Sequence, residues 1–377
     1  MIKKYKLRDF DFKLVIMILM LSGIGVMAIS SAEEGLRTKQ LAGVVVGFFI
    51  MIGISVINYN FVLKFAWPMY FINIGLLAAV ILTGELGGGA QRWFRIGGLR
   101  FQPSETAKIL LILFFAQFIM KYKEKLNTFK IIVACIGLIL LPWVMIYKQP
   151  DLSTSVVVLV VFCVIMYSGG ISYKVIFGAM AIVLPVLIIV IALALKPDSK
   201  ILEGFQKNRM LAFINPEEYA TEEAYQQLNS VKAIGSGMLT GKGYKNNEIT
   251  SVKNGNFLSE AQTDFIFAVI GEEFGFRGSV VVISLIFLIS LECLTIARRS
   301  KDLAGQIIAA GIGSIVAFQG FFNIGVATFI LPNTGLPLPF VSNGLTSLIS
   351  LYIGMGFVLN VRLQAKKNGN TVQNSFG

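Results

Sequence analysis

The chain has 377 residues, 55% hydrophobic and 14% charged, with no histidine and a net charge of +12. The charged share falls far short of the about 25% usual in soluble domains, and a mean hydropathy of +0.73 is too apolar for one water-soluble core. Without histidine, imidazole acid–base catalysis, the Ser-His-Asp triad and histidine-ligated metals are excluded. Proton transfer then falls to Asp, Glu, Lys or Tyr.

A spanning helix takes about 20 mostly apolar residues. Such runs fall near 12–30, 41–57, 67–83, 104–120, 131–147, 152–168, 175–195, 279–297, 305–331 and 342–361. They predict an all-α polytopic membrane protein of about ten transmembrane helices, forming a single integral membrane domain over 1–377. The opening basic residues, apolar stretch and Ala28-Ile29-Ser30-Ser31-Ala32 look like a signal peptide. With further spans close behind, the segment is read as an uncleaved first helix. Cys135, Cys163 and Cys293 all sit in apolar runs and form no CxxC pair, so no disulfide framework is expected.

Basic residues set the orientation. Lys3, Lys4, Lys6 and Arg8, then Lys64, then Lys121, Lys123, Lys125 and Lys130, then Lys174, then Arg298, Arg299 and Lys301, then Arg362, Lys366 and Lys367 fall on one side. Basic loops stay in the cytoplasm. With an even span count both termini are cytoplasmic, in a plasma membrane, and the loops near 84–103, 196–278 and 332–341 face outward. The same clustering makes the charge a topology signal, and no nucleic-acid partner is expected. The segment 196–278 is a large extracellular loop between helices seven and eight. It is too long for a simple connection, and Phe265–Ile270 at its end is apolar enough to dip into the interface.

Five outward segments carry candidate chemistry. In the first, Arg92-Trp93-Phe94-Arg95 and Arg100 precede Gln102-Pro103-Ser104-Glu105 and Lys108. Pro103 suits a first helical turn, and Glu105 and Lys108 share one helix face. Ionisable residues at that depth mark function, or lock helices as a structural pair. In the second, Asp151 after Lys148-Gln149-Pro150 either caps the next helix or acts directly. The third holds Arg209, Tyr225-Gln226, Ser230 and Lys232-Ala233-Ile234-Gly235-Ser236-Gly237, then Gly241-Lys242-Gly243. It fails as a nucleotide loop, because the spacing is one short and Gly243 stands where Ser or Thr is needed. A glycine-rich backbone with nearby Lys and Arg can still cradle a pyrophosphate, or form an ordinary flexible turn. In the fourth, Asp264 meets an apolar segment, where desolvation would sharpen it as a base or where it would serve as an N-cap. Glu272 and Glu273 beyond it read as solvated or capping charges. In the fifth, Gly335-Leu336-Pro337-Leu338-Pro339-Phe340 forces a rigid non-helical turn framing a cavity.

These segments, in this order, resemble the SEDS family (shape, elongation, division and sporulation proteins). The resemblance spans nearly the whole chain, with Asn215-Pro216-Glu217-Glu218 and Tyr225-Gln226-Gln227 closer to the elongation branch than to the division branch. It implies a ten-span peptidoglycan glycosyltransferase. Such an enzyme polymerises lipid II, a disaccharide-pentapeptide on undecaprenyl pyrophosphate, at the outer membrane face. It works with a class B penicillin-binding protein and other elongation-complex membrane proteins. By matching motifs, Asp264 takes the essential carboxylate's place. Glu105 and Lys108 match the charged pair, and Lys39 before Gln40 a basic position opening the second span. Arg100, Gln102, Asp151, Arg209 and Lys242 complete the expected substrate-binding set, and a divalent cation, Mg or Mn, would assist. Departures occur at Ser259, Gln262, Met238, Asn343, Leu345 and Ser153, none of them a charged candidate. A lipid II flippase or a noncatalytic scaffold are the alternatives. Charge gathered at the outer edge favours chemistry there, since a translocation path needs polar residues through the middle of several spans.

Overall fold

The computed structural model describes residues 9–87, 90–96, 99–149, 151–181, 185, 204–219, 224–245, 258 and 261–365. Its helices are α1 (Phe12–Ala32), α2 (Arg37–Val56), the short α3 (Tyr59–Leu63), α4 (Ala66–Thr83), α5 (Pro103–Lys121), α6 (Phe129–Tyr147) and α7 (Leu152–Ser168). They continue as α8 (Gly204–Ile214), α9 (Tyr225–Ser236), α10 (Ile266–Arg298), α11 (Leu303–Ala327) and α12 (Leu345–Leu363). Among the described residues, eight helices are long and apolar enough to cross a membrane, and α7 is a shorter apolar helix. The predicted span 175–195 lies mostly outside the described residues, which include helix at 173–181.

Two features depart from the sequence expectations. The loop between α4 and α5 folds as a three-stranded antiparallel sheet of β1 (Glu85–Gly87), β2 (Ala90–Ile96) and β3 (Leu99–Phe101), pairing Glu85 with Trp93 and Phe94 with Phe101. Strands this short, without strict apolar–polar alternation, leave little period-2 signal. The predicted span 279–297 is only the second part of α10. The helix starts at Ile266 and is broken at Gly275, where φ is 64° and ψ is −159°. Its first part, with Phe265–Ile270 at most 2% exposed, is enclosed by protein rather than dipping into an interface.

Local sequence accounts for the helix ends. Asp11 caps α1 by accepting from the Leu14 amide at 3.0 Å, Asp302 caps α11 by accepting from Gly305 at 2.8 Å, and Pro103 opens α5. The centre consists of α5, α11 and α12, in which 78%, 72% and 72% of the spanning residues are buried, against 22% for peripheral α6. Phe49, Phe71, Leu82 and Phe129 project outward, as suits a surface bathed in lipid rather than water.

Polar contacts separate the two ends of the bundle. At one end Arg362 pairs with Asp11 and Lys13 with Glu292. There Asn360 accepts from the Tyr59 amide and donates to Ser55 O, and Tyr59 donates to Asp302. At the other end Lys245 pairs with Glu34, Ser31 donates to Glu273, and Ser153 donates to Thr334 O. Thr346 there donates to Arg100 O. The first and last described helices therefore have their outer termini, near Asp11 and Arg362, at the same end, and all five candidate segments gather at the opposite end.

Candidate active site at the opposite end of the bundle

Asp264 immediately precedes the enclosed first part of α10, and its side chain is half-buried. Three consecutive carbonyls pin the segment. Gln262 O accepts from the Asn343 amide at 2.9 Å, Thr263 O from Ser342 Oγ at 2.6 Å, and Asp264 O from Asn323 Nδ2 at 2.8 Å. The Gly335–Phe340 turn is anchored to the same groups, since Ser342 Oγ accepts from the Leu338 amide at 2.7 Å. Leu338 and Phe340 are 1% exposed, so the turn is irregular backbone received by protein.

The carboxylate and a guanidinium converge on this turn. A methyl carried on Cα of Gly335 would lie 3.2 Å from Asp264 Oδ2 and 3.8 Å from Arg209 Nη1. Gly335 has φ 69°. Glycine there both permits the turn and leaves room beside the carboxylate. Arg209 is held from α8 by donating to Asn333 O at 3.4 Å. An acid and a guanidinium from residues 55 positions apart thus share one site.

The other candidates take different places. Lys108 donates to Glu105 Oε1 at 2.8 Å, and the two side chains are 2% and 3% exposed. Lys108 also lines a small cavity between α5, α6 and α7 whose other walls are apolar, among them Leu111, Phe115, Ile139 and Val158. The pair is buried inside the bundle. Asp151 takes the capping role, accepting from the Thr154 amide at 3.2 Å. Its Oδ2 accepts from Gln102 Nε2 at 3.1 Å and Ser104 Oγ at 3.2 Å, and Arg92 stands 3.6 Å from Oδ1. Gln102 and Asp151 therefore join the start of α5 to the start of α7. Lys39 and Arg100 are exposed. The residue after Lys39, Gln40, donates to Ser342 O at 3.4 Å, which brings the start of α2 to the Asp264 support.

The glycine-rich segment does not form a phosphate cradle. The amides of Gly241, Lys242 and Gly243 donate to Gly237 O, Glu272 O and Glu273 O. A methyl on Gly237 would meet Gly271 O at 1.9 Å, and one on Gly275 would meet the Gly241 nitrogen at 2.4 Å. Glycine is required because two backbones touch, and the segment clamps the break in α10. Lys242 pairs with Glu272 at 2.8 Å. Contrary to the expectation of solvated charges, Glu272 and Glu273 are each 2% exposed.

The sequence carries no sign of the contacts that Asn323, Gln227 and Ser230 make. Gln227 Nε2 donates to Val326 O and Leu331 O, and Ser230 Oγ to Ala327 O, fastening α9 to the end of α11. Their partners lie about 100 residues away in sequence, from 97 to 104, and no local pattern signals them. Among the described residues no cluster of three acidic or cysteine side chains could enclose a metal. A divalent cation at this site would have to be held chiefly by substrate phosphates and water, as Mg²⁺ commonly is.

Fold and site define a polytopic helical membrane protein with a carboxylate–guanidinium site where its helices end. The family model described as a cell cycle protein, FtsW/RodA/SpoVE, matches residues 10–367, and the chain belongs to that family. The peptidoglycan glycosyltransferase MrdB of Escherichia coli K12 is 32% identical over 359 residues, covering 95% of this chain and 94% of that one. A chain from a solved peptidoglycan synthase complex, described as coordinating polymerization and crosslinking, is similar at a TM-score of 0.76 and 26% identity. That match covers 94% of this chain and 97% of the other. The rod shape determining protein RodA of Thermus thermophilus is similar at a TM-score of 0.68 and 25% identity, over 94% and 96%.

Proposed function

We propose that this chain is a peptidoglycan glycosyltransferase that polymerises lipid II into glycan strands, with Asp264 as its general base. The observation that carries the mechanism is the convergence of Asp264 and Arg209 on the Gly335 turn. The acceptor sugar hydroxyl gives its proton to the Asp264 carboxylate as its oxygen attacks the donor's anomeric carbon. The anomeric carbon–oxygen bond breaks, and its electron pair leaves on undecaprenyl diphosphate. Direct displacement inverts the anomeric centre. A diphosphate is already a weak base, so one carboxylate suffices, where a glycosidase expelling a sugar alkoxide needs two. Arg209, with exposed Arg100 and Lys39 at the rim, offsets the departing charge. A divalent cation, when bound, would neutralise the same diphosphate. Lys108, Glu105, Asp151, Gln102 and Lys242 act behind this site, holding α5, α7 and the α10 break in place.

The site end of the bundle faces outward and both termini face the cytoplasm, a reading supported by the basic residues Arg298, Arg299, Lys301 and Arg362 at the other end. A class B penicillin-binding protein as crosslinking partner is supported by the similarity to the synthase-complex chain. A role in elongation is supported by the similarity to a rod shape determining protein. The test is purified protein with lipid II, with and without Mg²⁺ or Mn²⁺ and with and without the partner, read as glycan chains on a gel. Ladders of product are expected. Lipid II moved across vesicles without any polymer in every condition would instead make the chain a flippase.

A further inference from the structure

Asn323 lies near the end of α11 and is 1% exposed. Its Nδ2 donates to two carbonyls from two separate segments, Asp264 O at 2.8 Å and Leu336 O at 2.7 Å. Both amide hydrogens of the carboxamide are thereby used. Neither acceptor residue is in a helix or strand, so no ladder partner satisfies these carbonyls. The first segment carries the Asp264 carboxylate. The second begins at Gly335, the point on which Asp264 and Arg209 converge. One side chain on a largely buried helix therefore ties both walls of the site to a common reference.

We infer that Asn323 is a positioning residue for the reaction: it sets where the Asp264 carboxylate stands relative to the 335–338 turn and Arg209. The inference rests on the reading of Asp264 as base. A second carboxamide in the same fold separates positioning from ordinary support. Gln227 is equally buried and also bridges two carbonyls, Val326 O at 3.0 Å and Leu331 O at 2.9 Å. The chemistry is the same, but Gln227 fastens α9 to the end of α11 and makes no bond to the Asp264 segment.

The experiment compares full-length, purified wild type, Asn323→Leu, Gln227→Leu and Asp264→Asn, each normalised to folded protein. Lipid II polymerisation is resolved into kcat and KM, beside thermal stability. Asn323→Leu keeps shape and removes both donors. It is expected to lower kcat roughly 10- to 100-fold, the range for misplacing a catalytic group by about 1 Å, with KM within about twofold. Gln227→Leu is expected to lose stability while keeping kcat. Should Asn323→Leu not fold, Asn323→Gln keeps both donors on a longer arm and is read by the same split. The inference is overturned if the Asn323 variant keeps wild-type kcat, or if the Asn323 and Gln227 variants lose kcat alike. An active Asp264→Asn protein would instead remove the general base itself. An inactive Asp264→Asn beside a fully active Asn323 variant would leave the base standing and overturn only the positioning role.

Discussion

Replacing Lys108 with methionine removes an ammonium whose hydrogen-bond partner among the described residues is Glu105, 2.8 Å away. Both side chains are at most 3% exposed, and the cavity that Lys108 lines is otherwise walled by leucine, phenylalanine, isoleucine and valine. The small, otherwise apolar cavity beside Lys108 offers water few polar partners with which to replace the lost one. Removing one member of a buried ion pair leaves the other unpaired, which costs about 3–5 kcal/mol. Lys108→Met and Glu105→Leu should each be destabilised by that order. The double variant Glu105→Leu/Lys108→Met leaves neither a buried charge nor an unpaired polar group and should return to within about 1 kcal/mol of wild type, because apolar side chains of similar volume often replace such a pair without loss. Thermal denaturation in one detergent, with all four proteins in a double-mutant cycle, measures this coupling. A single variant as stable as wild type, or a double variant as unstable as the worse single, would refute the buried-pair reasoning.

The remaining expectations follow from other contacts. Gly237→Ala places a methyl 1.9 Å from Gly271 O, so the clamp on α10 must open. Overpacking of this kind costs about 1–3 kcal/mol, to be seen as a lower melting temperature. Asp151→Ala removes a cap worth about 1 kcal/mol and also leaves the donors of half-buried Gln102 and buried Ser104 unmatched. Asp151→Asn, which can still cap, should be clearly more stable than Asp151→Ala in the same melt. Single cysteines at Glu34 and Lys245, a pair 2.8 Å apart, should both react with an impermeant thiol reagent added outside intact cells. Reaction of either only after cell lysis would reverse the assigned orientation.

The membrane class and most spans were legible because a bilayer demands long apolar runs whatever the tertiary contacts. The position of Asp264 ahead of an apolar helix was legible for a related reason, since an ionisable group at the edge of an apolar stretch stands out in the sequence. The Asp151 cap was readable from its place before a helical run. What escaped depended on what fills the space around a residue. The glycines at 237 and 241 suggested a ligand cradle, and the space beside them is taken by the backbone of α10. Glu272 appeared as a surface charge because its partner Lys242 is 30 residues away. Asn323 carries no local signal, since the carbonyls it bridges belong to segments 59 and 13 residues distant. The short sheet at 85–101 depends on cross-strand pairing more than on periodicity.

The central claim is that a single carboxylate beside the Gly335 turn removes the acceptor's proton. Its most direct measurement is the initial rate of glycan formation from lipid II by folded Asp264→Asn protein, against wild type under identical conditions. The amide matches the carboxylate in shape and cannot take up the proton. A rate at least about 100-fold lower, with an unchanged melting temperature, is the predicted result. Glycan formation at the wild-type rate would contradict it.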